Sequence, residues 1–490
     1  MTPGALLRGF FALLIAGAAA WAVAANGDPE LQLADGDAAA RRRYEPLVFP
    51  MILPLLCLLL AVILLLRAGA DMAGRLLGTF FILFLEIGLY DALLLPALPL
   101  LRRRIRARGC AALWLLPNFL YVTWNAALLP DRPSLVLPVP RQIFPVLLLV
   151  WGVGFAAVLL WRICGHLRFR RQLLRGAVPV TDPDTLSRWE AAQLAVGLKK
   201  PKLRLVRAPA AASPLSVGLF RPGVRAVLPD RTYTPEELEL IFLHELVHIR
   251  RGDCWTKFFL TFCIAMCWFN PLLWLAMRRC AEDLELACDE LVLDGADDVR
   301  RRRYAELLLR TAGDGRGFTT CLSASASALR YRLQAVLRPV SRRTGGVVAG
   351  ALVFLLLLGA GHVSLAYKET DGPVLPDLRE PGQTLHLYYQ KSVGGASFYN
   401  CTDPAALLGY IESRELYTLT RLYSDSGDDG KSLTLTWSAP EGTVGLTLRT
   451  HSLSWTPLYD TDRGRIWYFF SEPTDWAYVE SLLTRETDGA

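Results

Sequence analysis

The sequence is short of the residues from which disulfide and thiolate frameworks are built. Ten cysteines are scattered over 490 residues, and no two of them stand in a C-x-x-C pair. That excludes the commonest thiolate zinc spacing. Cys401 is alone in the stretch from residue 368 onward, so that stretch closes no internal disulfide. Histidine is scarcer still, at six residues. There is no internal repeat, which excludes solenoids and arrays, and no long low-complexity segment.

Apolar residues, by contrast, are abundant. They make up 52% of the chain and the mean hydropathy is +0.29, which indicates a membrane protein. Apolar runs near 4–25, 48–66, 76–100, 109–129, 142–163 and 346–366 approach the ~20 residues that a spanning helix needs. Charge is partitioned along the chain. Residues 368–490 carry 10 Lys+Arg against 18 Asp+Glu, while the rest of the chain is strongly basic. The basic clusters at 101–108, 168–175, 300–303 and 338–343 flank apolar runs. That placement reads as a cytoplasmic topology signal rather than as a nucleic-acid surface, so no direct nucleic-acid binding is expected.

These clusters place 165–343 inside the cell and 368–490 outside. Counting spans backwards puts the N-terminus outside. Arg8 and the small residues Ala22–Ala25 instead resemble a signal peptide, so the first 25 residues support two readings. The expected division is 1–75 N-terminal membrane segments of unassigned role, 76–164 core spans, 165–343 a cytosolic domain, 344–367 a last span and 368–490 an extracytoplasmic sensor domain. Within 368–490, β-rich runs at 384–390, 416–424, 431–437, 442–450 and 464–470 and helical patches at 403–413 and 474–483 predict an α+β fold.

The chemistry centres on LHELVHIRRGD, 243–253. His244 and His248 are four apart on a helix, so both imidazoles can reach one metal ion. Glu245 is offset by about 100° around the axis, where it can serve as a base without being a ligand. Thr234-Pro235-Glu236-Glu237 supplies a capping box for that helix. Candidates for a third ligand are Glu282, Asp283 and Glu285. If the apolar run 254–277 crossed the bilayer once, it would strand them on the far side. Asn270-Pro271 breaks that run and predicts a membrane-associated hairpin that returns Glu285 to the same side. Glu285 and Asp289 then share a helix face, with Glu285 able to ligate and Asp289 able to accept a hydrogen bond from a ligating histidine.

HELVHIRRGD, WFNPLLW (268–274) and EDLELACDELVL (282–293) resemble the BlaR/MecR-type membrane metallopeptidases. SPLSVGLFRPGVRAVLP (213–229), YAELLLR (304–310) and LSASASALRYRL (322–333) agree in kind and order. The resemblance covers roughly 76–366. It implies a polytopic α-helical membrane protein with an inserted cytosolic α+β minimal zincin domain, followed here by a small C-terminal extracytoplasmic α+β domain. It further implies Zn2+ on His244, His248 and Glu285, with Glu245 as catalytic base and Asp289 as the carboxylate behind the ligands. The expected partners are the lipid bilayer, a cytosolic protein substrate such as a winged-helix repressor, and an unidentified extracellular ligand. Residues 368–490 depart from the antibiotic-sensing members, because they hold neither S-x-x-K nor K-T-G and are short for a penicillin-binding domain. β-Lactam sensing therefore does not transfer.

Two rival classes remain. One is a non-proteolytic receptor or scaffold whose zinc only staples two helices, a reading that leaves Glu245 without a purpose. The other is a transporter built on Glu86 and Asp91, carboxylates inside an apolar run. These two could also couple the membrane region to the protease, or pack against Asn118 or Asn125. Arg250, Arg251 and Asp253 are expected at headgroup level and at the helix end, and His362 in a structural role. The aromatics Tyr388, Tyr389, Trp455, Trp467 and Tyr468 could line a ligand groove, with packing in the outer core as the default expectation.

Overall fold

The computed structural model describes residues 3–26, 48–68, 70–124, 128–198, 203–219, 223–311, 326–338, 343–368, 385–392, 395–421, 423, 431–439, 442–457, 466–470 and 472–485. Asn125 and residues 322–325 of LSASASALRYRL lie outside them.

The apolar runs fold into a helical bundle. Its members are α1 (Pro3–Asn26), α2 (Val48–Ala68), α3 (Ala70–Arg104), α4 (Ala107–Leu113), α5 (Ile143–Leu173) and, much later in the chain, α12 (Gly346–Gly359). Among the described residues three stretches, Gly4–Ala25, Gly74–Arg104 and Ile143–Leu173, are long and apolar enough to cross a membrane. Six such helices were expected, and two of the six runs differ in kind. Run 109–129 is not one helix: α4 stops at Leu113 and a 3-10 helix covers Leu116–Trp124. Pro117 has no N–H to donate, and Leu115 N instead bonds Ala112 O at 3.0 Å. Run 346–366 ends as helix at Gly359, and its β-branched and aromatic tail becomes strand β6 (Val363–Lys368).

α1 packs antiparallel on α12, with Ala16, Ala20 and Ala24 against Gly346 and Gly350. Arg8 donates to the carbonyls of Leu357 at 3.0 Å and Ala360 at 2.8 Å, satisfying the end of α12.

Between α5 and α12 lies a second core. Strands β2 (Val178–Pro179), β3 (Arg204–Ala208), β4 (Leu215–Val217) and β5 (Arg225–Pro229) form a sheet in the order β2-β3-β5-β4, with β3 and β5 parallel. The accompanying helices are α6 (Pro183–Ala195), α7 (Pro235–Arg251), α8 (Asp253–Met266), α9 (Pro271–Val292), α10 (Asp298–Thr311) and α11 (Ala326–Leu337). Trp189, Leu228, Phe242, Leu246 and Tyr304 share its interior.

α8 and α9 form a hairpin. Asn270 accepts from Leu272 N at 3.0 Å and Pro271 opens α9, so the apolar run turns back as its sequence implies. Phe259, Phe262, Ile264, Met266 and Leu273 of the hairpin belong to the same apolar cluster as Phe80 and Phe84 of α3. Trp151 of α5 donates to Met266 O at 2.8 Å.

The third core lies under a ten-stranded sheet ordered β1-β6-β9-β13-β12-β11-β10-β7-β8-β14. Its strands are β1 (Leu135–Pro138), β6, β7 (His386–Ser392), β8 (Gly395–Cys401), β9 (Tyr417–Leu419), β10 (Ser432–Ala439), β11 (Gly442–Arg449), β12 (Ser452–Pro457), β13 (Ile466–Phe469) and β14 (Leu483–Arg485). Alternation buries Leu433, Leu435 and Trp437 of β10 with Leu446 and Leu448 of β11, beside α13 (Pro404–Glu412) and α14 (Trp476–Ser481). Tyr389 and Tyr468 are buried, whereas Tyr388 is exposed rather than part of the core. β1 comes from the loop before α5 and pairs in parallel with β6, so this sheet includes a strand from the bundle's own connection.

Candidate metal centre

α7 is well specified at both ends. Thr234 Oγ1 accepts from Glu237 N at 3.2 Å and Glu237 Oε2 accepts from Thr234 N at 2.8 Å, completing the capping box. Gly252 ends the helix at φ +69°, a left-handed conformation that suits glycine, and α8 starts at the next residue. This tight corner brings Asp253 back onto the last turn of α7.

His244 and His248 project from one face of α7, with Nε2 atoms 3.1 Å apart. Each outer nitrogen is engaged. His248 Nδ1 bonds Asp253 Oδ2 at 2.7 Å, in a buried pair. His244 Nδ1 lies 2.8 Å from the Tyr304 hydroxyl, which donates to Asp289 Oδ1 at 2.6 Å. With a carboxylate behind each outer nitrogen, the two Nε2 atoms are left as acceptors that converge on one point.

Glu285 of α9 completes the triangle. Its Oε2 lies 3.6 Å from His244 Nε2 and 3.5 Å from His248 Nε2. An ion holding N and O ligands tetrahedrally at 2.0–2.1 Å separates them by about 3.3–3.4 Å, so the donor set fits zinc in both spacing and chemistry. Lys257 of α8 approaches the other oxygen, Oε1, at 3.2 Å. Burial pushes the Glu285 carboxyl up, but His248, Lys257 and His244 together hold it well below the usual range. Glu245 is buried on the adjacent side of α7, at 6% exposure.

The expected direct bond from Asp289 to a histidine is replaced. Asp289 Oδ1 stands 3.6 Å from His244 Nδ1, and Tyr304 bridges the gap. Asp289 is itself gripped by Arg332 of α11 through two bonds of 2.7 Å. Arg251 and Asp253 are buried beneath the histidines rather than held at headgroup level, and Arg250 donates to Val196 O. Glu282 faces away from the centre, bound by Arg279 at 2.9 Å, and Asp283 pairs with Arg102.

Spacing alone missed Cys288. It sits one turn after Glu285, within 4.8 Å of both histidines, and His244, His248 and Cys288 could also hold a metal. Its Sγ donates to His244 O at 3.3 Å. Burial pushes the thiol up, yet the two histidines bring it below its usual value.

Glu86 and Asp91 are not a joint site. Glu86 Oε1 accepts from Gly361 N at 2.9 Å and pairs at 3.3 Å with Arg421, which follows β9 of the ten-stranded sheet. Asp91 is buried in a small cavity among Trp114, Asn118 and Tyr121. His362 bonds Ser134 at 2.9 Å, tying the end of α12 to the start of β1.

Comparison with known proteins bears on this centre. Residues 125–336 match the family described as BlaR1 peptidase M56, a span that contains every residue of the centre. The regulatory protein BlaR1 of Bacillus licheniformis is 26% identical over 263 residues, 51% of this chain and 43% of its own length. The methicillin resistance mecR1 protein of Staphylococcus aureus is 31% identical over 102 residues, 20% of this chain and 17% of its own. The chain thus spans less than half the length of either relative. Residues 125–336 thus carry a domain similar to the BlaR/MecR-type peptidases.

Proposed function

We propose that the protein is a membrane-embedded zinc endopeptidase that relays an extracellular signal by cleaving a cytosolic protein, such as a winged-helix repressor. The observation that carries this reading is the triangle of His244, His248 and Glu285 with Glu245 buried beside it. A zinc ion held by those three residues would supply Lewis-acid polarisation of the scissile carbonyl and a water acidified to a pKa of about 7. Asp253 and Tyr304 fix the imidazole tautomers so that both Nε2 atoms face inward. Glu245 takes the proton of the attacking water on its carboxylate and returns it to the departing amine.

The relay reading rests on α3. At one end Gly78 lies so close to Thr420 that a Cβ would collide with that side chain, and Thr79 donates to Thr420 O at 3.2 Å. At the other end Arg102 binds Asp283, two residues before Glu285. One helix of 35 residues, about 52 Å long, therefore touches both the outer sheet and the metal-centre helix. In this reading residues 165–343 face the cytosol and 368–490 the outside.

The test uses full-length protein in membranes with a co-expressed repressor and a survey of new N-termini among cytosolic proteins. Glu245→Gln should retain bound zinc and lose cleavage by about 10²–10⁴-fold, the range for a general base. Unchanged cleavage with zinc retained would overturn the peptidase reading.

A second reading is favoured by Cys288. If its thiol joined His244, His248 and Glu285, four protein ligands would close the site, as in structural zinc centres. The protein would then be a receptor or scaffold without proteolysis.

A further inference from the structure

A cavity of about 300 Å³ lies where the outer sheet meets the bundle. Its wall is drawn from three places: Arg75 in the first turns of α3, Asp131 and Arg132 in the loop before β1, and Arg421, His451 and Trp467 of the outer domain. Three guanidiniums and the Asp131 carboxylate line it, and Glu86 pairs with Arg421 behind the wall, so the guanidiniums still outnumber the carboxylates. Arg421 is buried, at 4% exposure, with Nη1 on Glu86 and with no acceptor for its Nε–H among the described residues. A buried guanidinium N–H that protein groups leave unpaired is an invitation to an acceptor from outside. Tyr468 and Phe469 extend the wall beside Trp467, giving the cavity an aromatic side.

From this lining we infer that the cavity binds an anion, a carboxylate or phosphate carried on an apolar or aromatic body. The guanidiniums take the charged group and the β13 aromatics take the body. The small volume limits the occupant to a compact molecule or to one end of a larger one. Arg421 shares the cavity wall and the Glu86 pair, so an anion on its guanidinium competes with a carboxylate of α3. Binding goes beyond the peptidase reading and does not require it. Only the consequence for α3 rests on that reading.

The probe is phenyl phosphate, titrated by calorimetry into full-length protein in phosphatidylcholine nanodiscs, with benzyl alcohol as the neutral control. Saturable one-to-one binding is expected, weakened about tenfold or more by Arg75→Ala or by Arg132→Ala, each removing one charge-assisted bond. Arg75→Lys should retain part of the affinity, and the unfolding midpoints of all variants should match the parent. Repeating the titration with phosphatidylglycerol in the disc distinguishes the sources. Competition identifies a lipid headgroup as the natural anion, and its absence identifies a soluble one. The proposal is overturned if phenyl phosphate fails to saturate, if benzyl alcohol binds equally well, or if neither alanine variant weakens binding while both remain folded. Because nothing in this assay depends on zinc or cleavage, its failure leaves the peptidase reading standing, and the reverse holds too.

Discussion

Arg102 Nε donates to Asp283 Oδ1 at 2.7 Å, joining the end of α3 to the helix that carries Glu285. Trp114 Nε1 holds the other oxygen of Asp283 at 2.9 Å, and the carboxylate is fully buried. Removing one partner of a buried pair leaves the other charge uncompensated, at a cost of about 3–5 kcal/mol. Arg102→Ala is therefore expected to lower stability by that order and to loosen zinc binding, because α9 loses its anchor two residues from a ligand. Arg102→Met with Asp283→Leu should recover most of the stability without restoring charge. Thermal unfolding of the three proteins, with bound zinc measured, checks this. A silent Arg102→Ala would dismiss the contact as incidental.

Tyr304→Phe is the sharpest probe of the histidine supports. It deletes only the hydroxyl that lies between His244 Nδ1 and Asp289 Oδ1. Loss of such an outer partner lowers metal affinity by about 10–100-fold. Asp253→Asn, which replaces the carboxylate on His248 Nδ1, is expected to act over the same range. Competition with a chelator reads both. If Tyr304→Phe binds zinc like the parent protein while Asp253→Asn does not, the Tyr304 bridge has no functional weight.

How much of this was visible in the residues follows from sequence distance. The pairing of His244 with His248 is a property of one helix turn, and the caps at Thr234 and Asn270 are equally local, so spacing reveals them. Glu285 needed only one further step, that the hairpin folds back. Tyr304 and Arg332 reach the centre from α10 and α11, and nothing local in either segment points toward Asp289. Asp289 stands behind His244 through Tyr304 rather than by a direct bond, since a tyrosine from another helix takes the position that bond would need. The apolar run 346–366 misled differently. A short buried strand and a helix segment look alike when every residue is apolar. The pairings with β1 and β9 identify Val363–Lys368 as a strand.

The capping box offers a measure of how far stability in α7 bears on the centre. Thr234 Oγ1 satisfies one of the orphan N–H groups at the helix start. Thr234→Ala should cost about 1 kcal/mol, and Thr234→Ser very little. Neither change touches the ligands ten residues on, so zinc affinity at a temperature well below unfolding should remain that of the parent. A large loss of zinc in Thr234→Ala at that temperature would mean that α7 frays as far as His244.

Glu285 and Cys288 compete for the role of third ligand, and paired substitutions separate them. Glu285 Oε2 lies 3.5–3.6 Å from both Nε2 atoms, close to a tetrahedral edge, while Cys288 Sγ donates to the carbonyl of His244. Glu285→Ala should therefore abolish stoichiometric zinc, because it removes the carboxylate oxygen nearest both Nε2 atoms. Cys288→Ala should retain zinc with an affinity within about tenfold of the parent, because the thiol lies beside the triangle and is not needed to close it. X-ray absorption on the zinc-loaded chain gives an independent readout, since a Zn–S distance of about 2.3 Å is separable from N and O scatterers at 2.0–2.1 Å. Loss of zinc in Glu285→Ala and in Cys288→Ala alike, together with a sulfur shell in the parent, would make Cys288 a fourth protein ligand beside Glu285. The centre would then be a closed four-ligand site, and the scaffold reading would displace the peptidase.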